Sequence, residues 1–150
     1  MANNNVFVID DGTKEISVTN KFGEEICKIH IRGGDISILE RYNDLMNDFN
    51  DLVAPLSDIS LKNDGTSDFD KDWQIVKSVE AQFIERINTL FDMKDAGNLF
   101  KNRNAFSTVG GVFYIERVLT MLGEIVSKEI EEEGRKSQKR IEKYVKDVEK

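Results

Sequence analysis

The sequence predicts an α+β fold: an N-terminal three-stranded antiparallel β-meander followed by three main α-helices, the last with an extended charged C-terminal end. Three observations lead to this prediction. Apolar residues recur with a period of two up to residue 31, two glycines follow at Gly33-Gly34, and apolar residues then recur at steps of three and four. Strands grouped before helices along one chain are typical of an α+β domain.

We expect a single domain at residues 1–134, since 150 residues suffice for one hydrophobic core. Within it, residues 1–34 would form the meander and residues 35–134 the helical part. Residues 135–150 carry seven Lys or Arg and three Asp or Glu, whereas the whole chain has a net charge of −7. This reversal of charge predicts a basic helical tail that folding does not require and that contacts a partner.

Three apolar runs predict the strands. The first is Val6 to Ile9, which the turn-forming Asp10-Asp11-Gly12 separates from the second, where Ile16 and Val18 alternate with polar residues. The third covers residues 25–31 and places its apolar residues on one face: Cys27, Ile29 and Ile31. Because so small a sheet is marginally stable alone, one of its faces should pack on the helices.

The helices follow from apolar stripes and from residues that begin or end a helix. Asp35 is a favourable N-cap for a first helix, and Pro55 should end that helix near Val53. The second helix should begin near Asp70 or Asp72 and end near Phe91, and the third should cover about 112–133. Residues 57–72 predict a mobile acidic loop, and residues 92–100 a short helix that returns Leu99 and Phe100 to the core.

Composition narrows the classes of function. An acidic chain with a pI near 4.8 is a poor ligand for phosphate backbones, so we expect no nucleic-acid partner. One cysteine excludes an internal disulfide framework and fits a reducing compartment. The apolar runs are too short to cross a bilayer, and the first residues do not resemble an export signal. We therefore expect a cytoplasmic chain with no membrane partner.

Tests for chemistry give no catalytic, cofactor-binding or metal-ligating residue. Cys27 and His30 lie an odd number of residues apart in a strand, so their side chains should point to opposite faces. If Gly65 were the sixth residue of a calcium loop, its third and twelfth positions would fall on Lys62 and Lys71, which cannot bind calcium. Gly110-Gly111 lack the Gly-Lys-Ser/Thr of a phosphate loop and predict a flexible or closely packed backbone. We therefore expect no enzymatic activity and no cofactor.

Large apolar residues near helix ends have two interpretations, core packing or a surface for a partner or a second copy. The candidate partner-binding residues are Phe83, Leu90, Phe91, Phe100 and Phe113 in the body, and Ile141, Tyr144 and Val148 in the tail. The partner interpretation predicts self-association through apolar helix faces.

The order of elements resembles the tail assembly chaperones of long-tailed phages and prophages of Gram-positive bacteria. The residues that carry the resemblance are Asp35, Arg41, Tyr42, Phe91, Gly97 and Phe100, within residues 5–130. The insertion at 57–69 and the basic tail depart from the family pattern. The resemblance implies a non-enzymatic, oligomeric protein that binds the tape-measure protein, and possibly tail-tube subunits, and that is absent from the finished virion. The alternatives are a structural phage tail protein, an interaction module unrelated to phages, and a small enzyme.

Overall fold

The computed structural model describes residues 5–59 and 69–149. In chain order, their elements are β1 (Thr13–Thr19), β2 (Glu25–Arg32), α1 (Ser37–Val53), a 3₁₀ helix (Ala54–Asp58), α2 (Phe69–Phe91), a second 3₁₀ helix (Ala96–Phe100), β3 (Thr108–Val109), β4 (Val112–Phe113) and α3 (Tyr114–Glu149). The strands form two separate two-stranded antiparallel sheets, β1–β2 and β3–β4. The three helices lie in the predicted order.

The prediction of a three-stranded meander is wrong, because in the described residues β1 pairs only with β2. Val6 to Ile9 form no strand, and their side chains are 61–93% exposed. The carboxylates of Asp10 and Asp11 accept hydrogen bonds from the N–H groups of Gly12 and Thr13, both at 3.0 Å. These local bonds stabilise a turn after which the chain enters β1, and the expected hairpin partner of β1 remains apart from it.

The β1–β2 hairpin packs one face on the helices. Cys27, Ile29 and Ile31 are buried on β2, as the alternation predicts, and Val18 is buried on β1. Lys14 reaches from β1 to the buried carboxylate of Glu129 on α3, with 2.6 Å between the charged atoms. This hydrogen bond raises the pKa of Lys14. A buried carboxylate is thus paired with a cation, as its desolvation requires.

The first helix ends at Val53, as predicted, but its N-cap is Ile36 rather than Asp35, and the helix begins at Ser37. The Asp35 carboxylate still accepts the N–H of Ser37 at 3.1 Å and its hydroxyl at 2.6 Å. These bonds, with Arg41 nearby, lower the pKa of Asp35. Asp35 therefore binds an N–H group of the first turn, as expected of an N-cap residue. It does so from the position that precedes the N-cap.

The end of α2 joins three elements. Asp92 has a φ of +53°, and the N–H of Met93 donates to the carbonyl of Asn88 at 2.9 Å, so the helix ends without the usual glycine. Arg32 of β2 donates to the Asp92 carboxylate at 2.8 Å. Arg41 of α1 donates to the carbonyl of Leu90 at 3.1 Å. The last turn of α2 has no basic residue of its own. These two arginines therefore provide the positive charge that the negative, C-terminal end of the helix dipole attracts.

The connection from α2 to α3 is more ordered than the sequence suggests. The predicted short helix is a 3₁₀ helix that buries Leu99 and Phe100. A hairpin that was not predicted follows, with Gly110 and Gly111 in its turn at φ of +62° and +82°. Two successive positive φ angles fit a two-residue hairpin turn, and glycine adopts them without strain.

The third helix continues without a break through Gly134. Its 36 residues make it about 54 Å long at the usual rise per residue. Residues 134–146 are all exposed, so the end of the helix extends beyond the core as the predicted basic tail. In the first three turns of α3, the Tyr42 hydroxyl of α1 donates to the carbonyl of Leu119 at 3.4 Å, in space that the absent side chain of Gly123 leaves free.

We expect Arg41→Ala to lower the free energy of unfolding by about 1.5–3 kcal/mol, because a charged donor to a helix-terminal carbonyl is lost. Arg86→Ala is the matched control: its side chain is equally exposed, 31%, but among the described residues its polar contact is an ion pair with Asp48 at the surface. For that exposed pair we expect a loss of at most about 1 kcal/mol. Urea denaturation of both variants measures the difference. Equal losses of unfolding free energy would show that the bond from Arg41 to the end of α2, the joint between α1 and α2, contributes nothing beyond a surface ion pair.

Candidate binding site

An apolar groove of about 430 Å³ opens at one end of the helical body. We call it the Trp73 groove. Its walls come from three regions: the first 3₁₀ helix and the residue after it, the first turns of α2, and the segment that contains β3 and β4. Its lining residues are Leu56, Ile59, Trp73, Val76, Asn104, Phe106, Ser107 and Phe113.

Aromatic rings at the groove continue into the core. Phe113 packs edge-on against Phe106 at 5.9 Å between centroids, and Phe106 packs against the buried Phe83 at 6.2 Å. On the other side, Phe69 stacks on Trp73 at 6.1 Å with only 7° between the rings. Phe69 and Phe113 are nevertheless 60% and 44% exposed. The groove therefore has a floor fixed by the core and an apolar rim in contact with water.

Three oxygen atoms in the groove wall accept hydrogen bonds within the protein. The Asn104 carboxamide oxygen accepts the N–H of Phe106 at 2.8 Å, and the Asn104 carbonyl accepts the N–H of Ser107 at 3.0 Å. The Ser107 carbonyl accepts the N–H of Tyr114 at 2.7 Å. The lining residues include no group that titrates near neutral pH. The groove thus offers apolar contact, and its lining has no acid, base or charged nucleophile.

The remaining candidates for chemistry lie elsewhere. The buried Cys27 and the exposed His30 are on opposite faces of β2, so they form no dyad. His30 contacts Glu15 at 3.0 Å, a contact that lowers the pKa of that carboxyl. Within the described residues, 5–59 and 69–149, no three His, Cys, Asp or Glu side chains lie close enough together to bind a metal ion.

The structure separates the predicted partner-binding residues into two groups. Four of them lie in the core with at most 7% exposure: Phe83, Leu90, Phe91 and Phe100. A partner cannot reach these side chains while the domain is folded. Phe113 lines the Trp73 groove, and Ile141 and Tyr144 lie on the tail at 54% and 61% exposure. The side chain of Val148 lies outside the described residues.

Sequence reasoning did not identify Trp73, Phe69 or Leu56 as site residues. The stripe that includes Trp73 predicts a core-facing residue, and its position at the start of α2 leaves it half-buried instead. A Val-Gly-Gly-Val segment was a signal for the hairpin that carries Phe113. Most of the predicted acidic loop lies outside the described residues, because the structure does not describe residues 60–68. Leu56 and Ile59 precede residues 60–68, and Phe69 follows them.

Comparisons with models of known protein families, with curated proteins and with solved structures find no match for this chain. In the part of the chain that the structure describes, no helix combines the length and apolar character needed to span a bilayer.

Cys27 should be unreactive in the folded protein, because burial raises the pKa of its thiol and thus reduces the thiolate that attacks a disulfide reagent. We expect Ellman's reagent to label it at least about tenfold more slowly in buffer than in 6 M guanidinium at the same pH. Absorbance at 412 nm follows the reaction, and free glutathione in each solvent corrects for the effect of guanidinium on the reagent. Equal corrected rates would contradict the burial of Cys27.

Proposed function

We propose that this chain is a non-enzymatic phage tail assembly chaperone that holds apolar helical segments of the tape-measure protein in the Trp73 groove. The observation that carries the proposal is a preformed apolar groove with exposed aromatic residues on its rim. Exposed apolar surface of this kind favours a protein partner. The proposal places the chain in the cytoplasm of an infected or lysogenic bacterium.

The chemistry of the groove favours a helix over a small ligand. A volume of about 430 Å³ lies within the range of ligand sites, but such sites usually orient their ligand with a few converging polar groups. Here the Asn104 carboxamide oxygen and the main-chain oxygens of Asn104 and Ser107 are already occupied by neighbouring N–H groups, and the other lining side chains are mostly apolar. An amphipathic helix requires only apolar contact for its side chains at positions i, i+3, i+4 and i+7. Coiled-coil segments of a tape-measure protein have that pattern.

The tail offers a second contact surface for the client, which is charged, whereas the Trp73 groove is apolar. Ile141, Tyr144 and Val145 are 50–61% exposed at helical spacing, and they lie among basic residues of α3. A client helix with acidic residues beside its apolar face would match this stripe in both charge and hydrophobicity. Two weak contacts on one client would raise the overall affinity beyond that of either contact alone.

The residues that carry the family resemblance support the scaffold rather than the groove. Arg41 and Tyr42 connect α1 to α2 and α3, while Phe91 and Phe100 are buried. The same resemblance admits tail-tube subunits as further clients, and the alternative function is that of a structural phage tail protein. Purified virions distinguish the two functions, since an assembly chaperone is absent from them and a structural protein is present.

We expect Phe113→Glu to weaken the binding of client peptides by at least about tenfold, because it places a charge on the apolar rim. Trp73, the only tryptophan, lines the groove, so its fluorescence reports occupancy directly. The assay titrates the protein with overlapping 20-residue peptides of the tape-measure protein encoded by the same phage genome. Wild-type protein should show a saturable blue shift with the peptides that bind.

Phe22→Glu is the matched control, since Phe22 is 76% exposed but belongs to the turn between β1 and β2. It should bind the same peptides with unchanged affinity. Far-UV circular dichroism of both variants establishes that they fold. The proposal fails if no tape-measure peptide shifts the fluorescence, or if both variants lose affinity to the same extent.

Removing residues 135–150 should leave thermal unfolding within a few degrees of the full chain, because the described side chains after Gly134 are exposed. Co-purification of the tape-measure protein should decrease, and in the full chain it should weaken steeply with salt, since exposed charges are screened over about 8 Å at 0.15 M ionic strength. Circular dichroism and pull-down at 50 and 500 mM NaCl measure both effects. Unchanged capture would exclude the tail from client binding.

A further inference from the structure

Residues 6–9, which we call the apolar arm, lie free of the rest of the described chain. The side chains of Val6, Phe7, Val8 and Ile9 are 61%, 89%, 93% and 84% exposed. The main-chain groups of these residues make no hydrogen bond within the described residues. Four consecutive exposed apolar residues with free main-chain groups have the composition of a strand that lacks a partner.

The β1 strand has a free edge of matching character. The N–H of Gly33 donates to the carbonyl of Gly12 at 3.1 Å, and alternate residues of an antiparallel pair point toward the partner strand. Glu15 and Ser17 therefore direct their main-chain groups away from β2, as does Thr13, whose N–H already donates to the Asp11 carboxylate. Among the described residues no other strand pairs with this edge. The chain thus carries both an unpaired strand segment and an unpaired edge.

We propose that two copies of this chain exchange their apolar arms, each arm pairing antiparallel with β1 of the other copy. Only Asp10-Asp11-Gly12 separate the arm from β1. A two-fold axis beside these three residues would place the arm of the first copy along β1 of the second. The same axis would place the arm of the second copy along β1 of the first. Such an exchange pairs the outer edge of β1 in both copies and closes on itself through the two-fold axis.

The size of the contact suits a dimer. An arm of four residues spans about 13 Å at the rise of a β-strand, so it fits along the seven residues of β1. Burying the apolar side chains of two arms, together with the two edges that they cover, amounts to roughly 1,200 Å². That area is at the lower limit for a specific protein–protein interface. An arm covering its own β1 would bury the same area per copy, but Asp10 and Asp11 stabilise a turn that leaves the arm off its own β1.

The arm is also a better match for a second copy than for an unrelated partner. It has no charged residue, and the edge of β1 offers main-chain groups rather than a pocket with its own specificity. Reciprocal exchange gives each arm and each edge a partner in a fixed ratio of one to one. This surface does not overlap the Trp73 groove, so the inference does not depend on the proposed function.

Light scattering after size exclusion at micromolar concentration tests the exchange. The full chain should elute with about twice the 17.2 kDa of one copy. Ile9→Glu should shift most of the protein to the mass of a single copy, since a charge in the paired arm opposes its burial. Ile36→Glu is the matched control: Ile36 is similarly exposed, 76%, but precedes α1, so the dimer should persist.

A photo-crosslink identifies the pairing. Phe7→benzoylphenylalanine protein, half of it labelled with ¹⁵N, is denatured, refolded as one mixture and illuminated. Mass spectrometry should find residue 7 linked to β1 peptides that carry the other isotope. The inference is wrong if the full chain elutes as a single copy, if Ile9→Glu leaves the dimer intact, or if crosslinks join only peptides of the same isotope, which would place the arm on its own β1.

Discussion

The C-terminal end of α2 is the constraint on which the packing of the other elements depends. Asp92 occupies the left-handed position where glycine is usual, and the carbonyl of Leu90 has no cation in its own last turn. Arg32 and Arg41 compensate from β2 and α1, at 2.8 and 3.1 Å. A single helix end thus receives side chains from two other elements, and the hairpin and α1 both meet α2 there.

The third helix joins this assembly through two contacts of different kinds. Tyr42 lies against Gly123, where any side chain would collide with its hydroxyl, so α1 and α3 approach closely. Lys14 pairs with the buried Glu129, which places the hairpin over a later turn of the same helix. The body is thereby fixed along α3 as far as residue 129, Ile130 still packs against the core, and the apolar residues of the tail have no core to enter. Ile141 and Tyr144 are exposed for this reason.

The sequence predicts those elements whose pattern is decided by local periodicity. The stripes of α1 and α2, the end of α1 before Pro55 and the inward face of β2 are all confirmed. The prediction fails where pairing depends on distant partners. Val6 to Ile9 have the composition of a strand, but composition does not determine whether an edge is paired within the chain.

The same distinction explains the candidate site. Phe83 and Phe113 have equivalent patterns in the sequence, yet Phe83 is fully buried at the centre of α2, while Phe113 lies on the hairpin before α3 at 44% exposure. Periodicity gives the face of a helix on which a residue lies, but it does not show where the body ends and the rim of a groove begins. That boundary arises from the packing of the first 3₁₀ helix, α2 and β4, which are separated in sequence.

The groove and the scaffold have different physical requirements, and this difference bears on how a family resemblance relates to function. The scaffold positions require particular side chains: a planar donor at Arg41, a hydroxyl at Tyr42 and the absence of a side chain at Gly123. The groove requires only apolar surface of suitable shape, which many combinations of aromatic and aliphatic residues provide. Residues recognisable across a family would therefore be those of the scaffold. Under the proposed function, client specificity would depend on the rim, where Phe69 begins α2 at the end opposite to Asp92 and Phe113 lies in β4.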